Sequence, residues 1–417
     1  AASPSFRPGP VRPGRWSVIV PAFAVPRRTT VTVRVRLRFE PTGPAYRPGP
    51  PVGLVRDEPG WYRGDLHCHT PESSDAWRSG TALDAAGWAD ACRRLGLDFA
   101  ALTDHNVVTQ NLDLARAAGE GVLLLPGEEM TDWFFGHATV SGLDVGQWVD
   151  FRHAPAGRPL PRDGARLAQF LRVARGMGAY VSAAHPSFPT IAWQYLTDAE
   201  RDPAARPDGF EVWTGPFQAD DETSLRTWDG MLRKGWRVWA NGGSDLHGTR
   251  NVFGFAAGTP TTVVYAGALA APALVAALRA GRSYVTRRAD GVECYLTVTG
   301  PGGQRTFVGG SVYGDAGDSV TVAARVRRGR GYRLVLLSEG RPLRTVPITS
   351  DDQTDGMTLS IPPSGRSYLR AEVRGAPRSY PDRPLAAELD MECLTNPVWL
   401  IRGDPPPGAR PEDAPVA

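Results

Sequence analysis

Asp65-Leu66-His67-Cys68-His69-Thr70 is the stretch that decides the reading of this chain. Alternate side chains of a strand share a face, so His67 and His69 point the same way and can hold one metal ion. Working outward, His105 stands in Leu102-Thr103-Asp104-His105-Asn106 and His137 in Gly136-His137, eight residues past Glu129. His185 follows Tyr180-Val181-Ser182-Ala183-Ala184. His247 lies in Gly243-Ser244-Asp245-Leu246-His247-Gly248, a second i, i+2 pair that begins with Asp245. Six of the seven histidines therefore sit at strand ends between residues 67 and 247. The seventh, His153, lies in a Pro/Arg/Gly-rich loop and reads as exposed. One such histidine would read as a structural residue. The set reads as a catalytic metal site, assembled where strand C-terminal ends converge.

Around these motifs the texture is α/β. Short apolar runs (Phe99 to Leu102, Val122 to Leu125, Ala179 to Val181) alternate with helical stretches, most clearly Leu83 to Leu95 and Ala165 to Arg175. That alternation predicts parallel strands with helices outside, as a barrel or an open sheet, from Trp61 to Arg288. Beyond Arg288 the strands Tyr295 to Val298, Ser319 to Val326, Tyr332 to Ser338, Met357 to Ile361 and Ser367 to Val373 follow one another closely. They predict a β-sandwich over 289–402. Val31 to Glu40 alternates apolar and polar residues and reads as a half-buried strand, with Trp16 to Val20 its partner. A Pro/Gly-rich linker closes the segment 1–60, whose strands are expected to complete the sandwich. The tail 403–417 reads as disordered.

Composition narrows the function. The 417 residues carry 47 Lys+Arg against 44 Asp+Glu, a net charge of +3, which leaves no footprint for nucleic acid or an anionic membrane. No run of ~18 apolar residues exists to span a bilayer. The chain opens Ala1-Ala2-Ser3-Pro4, which reads as a processed or trimmed start, so an exported and a cytoplasmic protein both stay open. Cys68, Cys92, Cys294 and Cys393 show no metal-binding spacing. Cys294 and Cys393 are the two that could pair in an exported protein; burial as apolar side chains is the alternative.

Motif order separates the competing metal folds. Metallo-β-lactamase-type enzymes need a compact HxHxDH run, but Thr70-Pro71 follows the first pair here. Amidohydrolase barrels commonly bridge their metals with a carboxylated lysine midway through the barrel; the single lysine, Lys234, falls too late in the chain. The ordered set over 61–288 resembles the PHP (polymerase and histidinol phosphatase) superfamily. It looks most like the carbaryl-hydrolase-type branch (CehA/McbA-like), through Gly281-Arg282-Ser283-Tyr284-Val285-Thr286 and Thr395-Asn396-Pro397-Val398-Trp399. The resemblance implies a distorted (β/α)7 barrel holding two or three divalent ions, zinc, manganese or iron. It implies that His67, His69, Glu129 and Asp245 hold one metal, and that Glu129 bridges to a second on His137 and His185. A third would use His105, His247 and Asp75. Many relatives have histidine at the position of Asp75, and two metals is the alternative. The Gly127-x-Glu spacing selects Glu129 as the bridge, with Glu128 the alternative.

The expected activity is hydrolysis of an ester bond in a small molecule by a metal-bound hydroxide. Asp65 and Asp104 are read as orienting neighbouring imidazoles, or equally as capping loops after strands. Arg250 is the candidate phosphate clamp, since guanidinium matches phosphate oxygens bidentately. A phosphomonoester or phosphodiester is the favoured substrate. An aryl carbamate or carboxylic ester is the alternative, with Trp77, Trp133, Phe134, Phe135, Phe188, Trp193, Trp213 and Phe217 as possible pocket walls. A non-enzymatic reading is a degenerate barrel that serves as a binding module.

Overall fold

Strand β1 (Gly60–Cys68) lies at the heart of the sheet, and its last five residues are all buried. The computed structural model describes residues 30, 32–34, 36, 49–132, 134–149, 151, 163–382 and 384–406. From β1 the chain runs through α1 (Ser74–Ser79), α2 (Ala85–Leu95), β2 (Phe99–Leu102), α3 (Leu114–Ala118), β3 (Leu123–Asp132) and β4 (Gly136–Ser141). It continues through α4 (Gly164–Gly176), β5 (Tyr180–Ala184), α5 (Leu196–Arg201), β6 (Gly209–Thr214), α6 (Ala219–Arg233) and β7 (Trp239–Gly243). Then come β8 (Thr261–Ala266), α7 (Ala271–Arg279) and β9 (Ser283–Thr286).

Local chemistry sets these elements. Helix α2 starts where the Asp84 side chain accepts from Gly87 N and stops at Gly96, whose φ of 73° ends the helix in a left-handed turn. Its buried face is Trp88, Ala89 and Cys92, a helical spacing. Helix α4, capped by Asp163, buries Leu167, Phe170, Leu171 and Ala174 in the same way. Strand β2 is buried throughout, as befits a strand covered on both faces.

Strands β1–β2–β3 pair in parallel, β3–β4–β5 antiparallel and β5–β6–β7 in parallel again. The α/β sheet expected from the sequence is present, as a mixed sheet. The ladder is not a closed ring. What joins β7 back to β1 is a single parallel bridge from Cys68 to Leu246, with Asp245 N donating to His67 O at 2.9 Å. Gly243 permits that approach, because a Cβ there would lie 2.4 Å from His67 Cβ and 2.7 Å from His67 N.

The second half is all β: β10 (Glu293–Thr299), β11 (Arg305–Phe307), β12 (Ser311–Gly314), β13 (Ser319–Arg327), β14 (Arg333–Ser338), β15 (Arg341–Pro347), β16 (Asp352–Ser360), β17 (Arg366–Arg374), β18 (Met391–Thr395) and β19 (Val398–Arg402). A four-stranded sheet, β11-β10-β13-β16, buries alternate residues of β13 against a core that includes Leu334, Leu369, Val373 and Leu400. The opposite layer is continuous with the α/β region: β18 pairs with β9, and one sheet of fifteen strands runs from β12 to β7. Asn396 reinforces the junction, its side chain bonding Ala240 N at 2.8 Å, Ala240 O at 2.9 Å and Ser283 Oγ at 2.9 Å.

Of the strand expected at Val31 to Glu40, residues 32–34 and 36 are exposed and in no strand. The rest of it, the partner at Trp16 to Val20, and His153 lie outside the described residues. So does residue 407 onward, while Gly403 still bridges to Gly314. Cys294 and Cys393, like Cys68 and Cys92, are buried free thiols, consistent with their apolar surroundings. Among the described residues no helix is long and apolar enough to cross a membrane.

Candidate metal centre

Five of the six histidines placed at strand ends converge on one carboxylate, and the sixth, His247, stacks on His69 beside them. Glu129 Oε1 lies 2.9 Å from His137 Nδ1, 3.1 Å from His185 Nε2 and 3.5 Å from His67 Nε2. Glu129 Oε2 lies 2.6 Å from His105 Nδ1 and 3.5 Å from His69 Nε2. Asp245 Oδ1 stands 3.2 Å from His67 Nε2 and 3.1 Å from His69 Nε2. Beside this, Asp75 Oδ2, His105 Nε2 and His247 Nε2 form a triangle with sides of 3.2, 3.2 and 3.3 Å. Donor atoms of four overlapping triads come within 4.8 Å of one another: His67/His69/Asp245, His67/Glu129/His185, His105/Glu129/His137 and His69/His105/His247.

The backbone brings these groups together by ordinary strand geometry and at two places by strain. His67 and His69 project from one face of β1, while β3 and β4 pair antiparallel so that Glu129 faces Thr139 and His137 faces Thr131. His185 and Asp245, each just past a strand end, take φ values of 28° and 50°. Left-handed backbone is costly for a non-glycine residue and collects at functional sites. Glu128 points the other way and accepts from Val149 N at 2.8 Å, so Glu129 is the carboxylate that faces the imidazoles.

Charge follows from burial and neighbours. Burial pushes His69 down to about 3, and the adjacent His247 and His105 rings reinforce the effect. A neutral ring leaves its Nε2 lone pair available. In His105 burial opposes charge, but Glu129 and Asp75 outweigh it and raise the ring to about 10. Glu129 is buried too, yet His105, His137 and His67 hold it well below the usual carboxylate range. Asp245 is likewise lowered against burial, first by His67 and then by His247.

These donors suit a divalent cation. His67 Nε2, His69 Nε2 and Asp245 Oδ1 are shielded from solvent and none makes a well-formed hydrogen bond within the chain. Buried polar atoms without partners are rare and costly. Mixed imidazole and carboxylate donors of this kind could hold metal ions.

The supporting residues differ from expectation in part. Asp104 does not bond an imidazole directly; it accepts from Ser73 Oγ at 2.6 Å, and Ser73 Oγ lies 3.0 Å from His69 Nδ1. It also accepts from Thr70 N and Thr70 Oγ1 at 2.8 and 2.7 Å, and burial lifts its carboxyl to about 6 against these bonds. Asp65 touches no ring and accepts backbone N–H bonds from His67, Ser244 and Gly258, tying β1 to the loops after β7. Glu211 is the residue that the motifs did not reveal. On β6 it lies 3.2 Å from His67 Nδ1 and accepts from the His185 backbone N–H at 2.6 Å, so it holds one imidazole and the backbone that carries another. A carboxylate inside the apolar run Phe210-Glu211-Val212 was the available signal.

The other expected residues divide between the surface and the core. Arg250 is exposed, its backbone N–H bonded to Thr81 Oγ1 at 3.3 Å. Lys234 is exposed and paired with Glu200 at the far end of β7. Trp193, Trp213 and Phe217 are buried in the core and Phe135 packs against it, so none of the four is an exposed wall. Trp77, Phe134 and Phe188 are exposed, and the Phe188 ring centre lies 6.3 Å from that of His185. Trp133 lies outside the described residues.

No protein-family model and no curated protein matches the chain. Among solved structures it is similar to a two-domain protein from Bacteroides vulgatus described as containing a predicted PHP-like metal-dependent phosphoesterase. That match has 18% identity and a TM-score of 0.43, over 85% of this chain and 100% of the other. It is also similar to an amidohydrolase from Chromobacterium violaceum, with 20% identity and a TM-score of 0.33, over 44% of this chain and 87% of the other.

Proposed function

We propose that this chain is a PHP-type metal-dependent hydrolase of small-molecule esters, phosphoesters being the favoured class, with residues 61–288 as its distorted barrel. The observation that carries this reading is the convergence of five imidazoles on Glu129, with His247, Asp245 and Asp75 completing the donor set. His67, His69 and Asp245 would hold one ion, His137 and His185 a second, with Glu129 shared between them. His105, His247 and Asp75 would hold a third. When bound, such ions acidify water and draw charge from the reacting oxygens. Glu211 and Ser73 would keep His67 and His69 in register, and the two-strand connection through Asp65 would keep the β1 and β7 ends together.

A carboxylic or carbamic aryl ester is the second reading, favoured by the exposed Phe188 ring next to His185. The carbaryl-hydrolase-type branch fits that reading. The test is elemental analysis of protein purified without chelator, followed by assays on aryl phosphate, bis-aryl phosphate and aryl ester substrates. Bound metal with turnover of a phosphate substrate, both lost in Glu129→Gln, is expected. Near-zero metal in the wild type removes the proposal, and turnover of the aryl ester alone selects the second reading.

A further inference from the structure

At the opposite end of β7 from the histidines, between the end of α6 and strands β17 and β19, lies a cavity of about 680 Å³. Arg233, Arg237 and Arg366 line it. Each guanidinium donates to one neutral oxygen: Arg233 to Glu339 O at 3.2 Å, Arg237 to Ser311 Oγ at 3.2 Å and Arg366 to Lys234 O at 2.9 Å. Among the described residues no carboxylate forms an ion pair with any of the three, although elsewhere in the β region Arg325, Arg344 and Arg374 all have such partners. Burial and the like charge of Arg366, only partly offset by Tyr313, hold Arg237 below the usual arginine range.

Two features make this more than a group of solvated arginines. Trp399 lines the same cavity, is 1% exposed, and its Nε1–H has no acceptor. The Arg237 guanidinium lies 4.3 Å above the Trp399 ring, which fixes it in a stacked orientation. Gly235, at φ 79°, leaves the space that the Arg366 guanidinium occupies, since a Cβ there would lie 2.1 Å from Arg366 Cζ. Three cations, one of them stacked on the buried Trp399 ring, therefore line one concavity containing a single carboxylate, that of Glu339.

We propose that this cavity binds a soluble, phosphate-bearing small molecule at a site separate from the metal centre. Guanidinium forks match phosphate oxygens, and a tetrahedral oxyanion offers enough acceptors to engage several of them together. The volume falls within the ~300–1,000 Å³ of small-molecule sites.

Inorganic pyrophosphate is the probe, titrated by calorimetry at low salt into the full chain. Wild type is compared with Arg237→Gln/Arg366→Gln, with Gly235→Ala, and with His137→Ala at the metal centre. The expected result is a binding step that persists in His137→Ala and weakens at least tenfold in the double variant. Gly235→Ala, which keeps every charge but displaces Arg366, should weaken it as well and so covers the case in which the double variant fails to fold. Absence of binding in the wild type overturns the proposal. So does binding that disappears in His137→Ala and is unchanged by the cavity variants, which would assign the anion to the metal centre.

Discussion

Two buried clusters of charge show opposite solutions to the same problem. Between α6 and β17, Arg370 is 2% exposed and bonds Asp229 through Nε at 2.9 Å and Nη2 at 2.6 Å, while Nη1 meets Glu372. Glu372 accepts from Arg374 Nε at 2.6 Å, and Arg374 in turn bonds Asp390 at 2.9 Å. Around Glu129 the carboxylates face imidazoles crowded against one another, with His69 and His247 stacked at 3.9 Å between ring centres. The first network balances its charges within the chain. The second leaves Nε2 of His67 and His69 without hydrogen bonds, and on the function proposed above a cation would complete its balance. Desolvating charge is costly in both places, so the difference in pairing is what separates a structural network from a site.

The comparison can be broken most severely at Glu129. Glu129→Gln removes the carboxylate shared by five imidazoles and should abolish metal binding, with activity falling by well over the ~10–100-fold typical of outer partners. Elemental analysis and initial rates check this. Arg370→Met should have the complementary effect. It takes the guanidinium from Asp229, leaves Glu372 to Arg374, and should lower unfolding stability by ~3–5 kcal/mol in urea titrations, while metal content per folded chain stays unchanged. A loss of metal there would show that the two clusters are not independent.

A smaller effect is expected one layer out. Glu211→Gln keeps the shape but not the charge beside His67 Nδ1 and should weaken metal affinity ~10–100-fold, read by competition with a chromophoric chelator. The smallest belongs to Glu128→Gln. Its carboxylate accepts from Val149 N and faces away from the imidazoles, so metal content should not change and stability should shift by no more than ~1 kcal/mol. Equal losses in Glu128→Gln and Glu129→Gln would contradict the strand orientation described above.

Legibility followed the range of the interactions involved. The period of a strand is local, so His67 with His69, and the opposition of Glu128 to Glu129, could be read from neighbouring letters. Glu211 could not. An acid between Phe210 and Val212 has the pattern of a half-wet strand, and only the convergence of β1, β5 and β6 turns that face inward onto His67 and His185. The aromatic residues divided for a similar reason: Trp213 and Phe217 entered the core, whereas Phe188 stayed beside His185.

The histidine pairs, the Gly-x-Glu spacing, the change from α/β to all-β texture and the lack of charge bias all belong to the linear sequence, because they depend on periodicity and composition. The mixed direction of the strands, the continuous sheet through β9 and β18, and the arginine-lined cavity at its base belong to the folded chain. Each joins residues far apart in sequence, and long-range packing has no local signature from which it could be read.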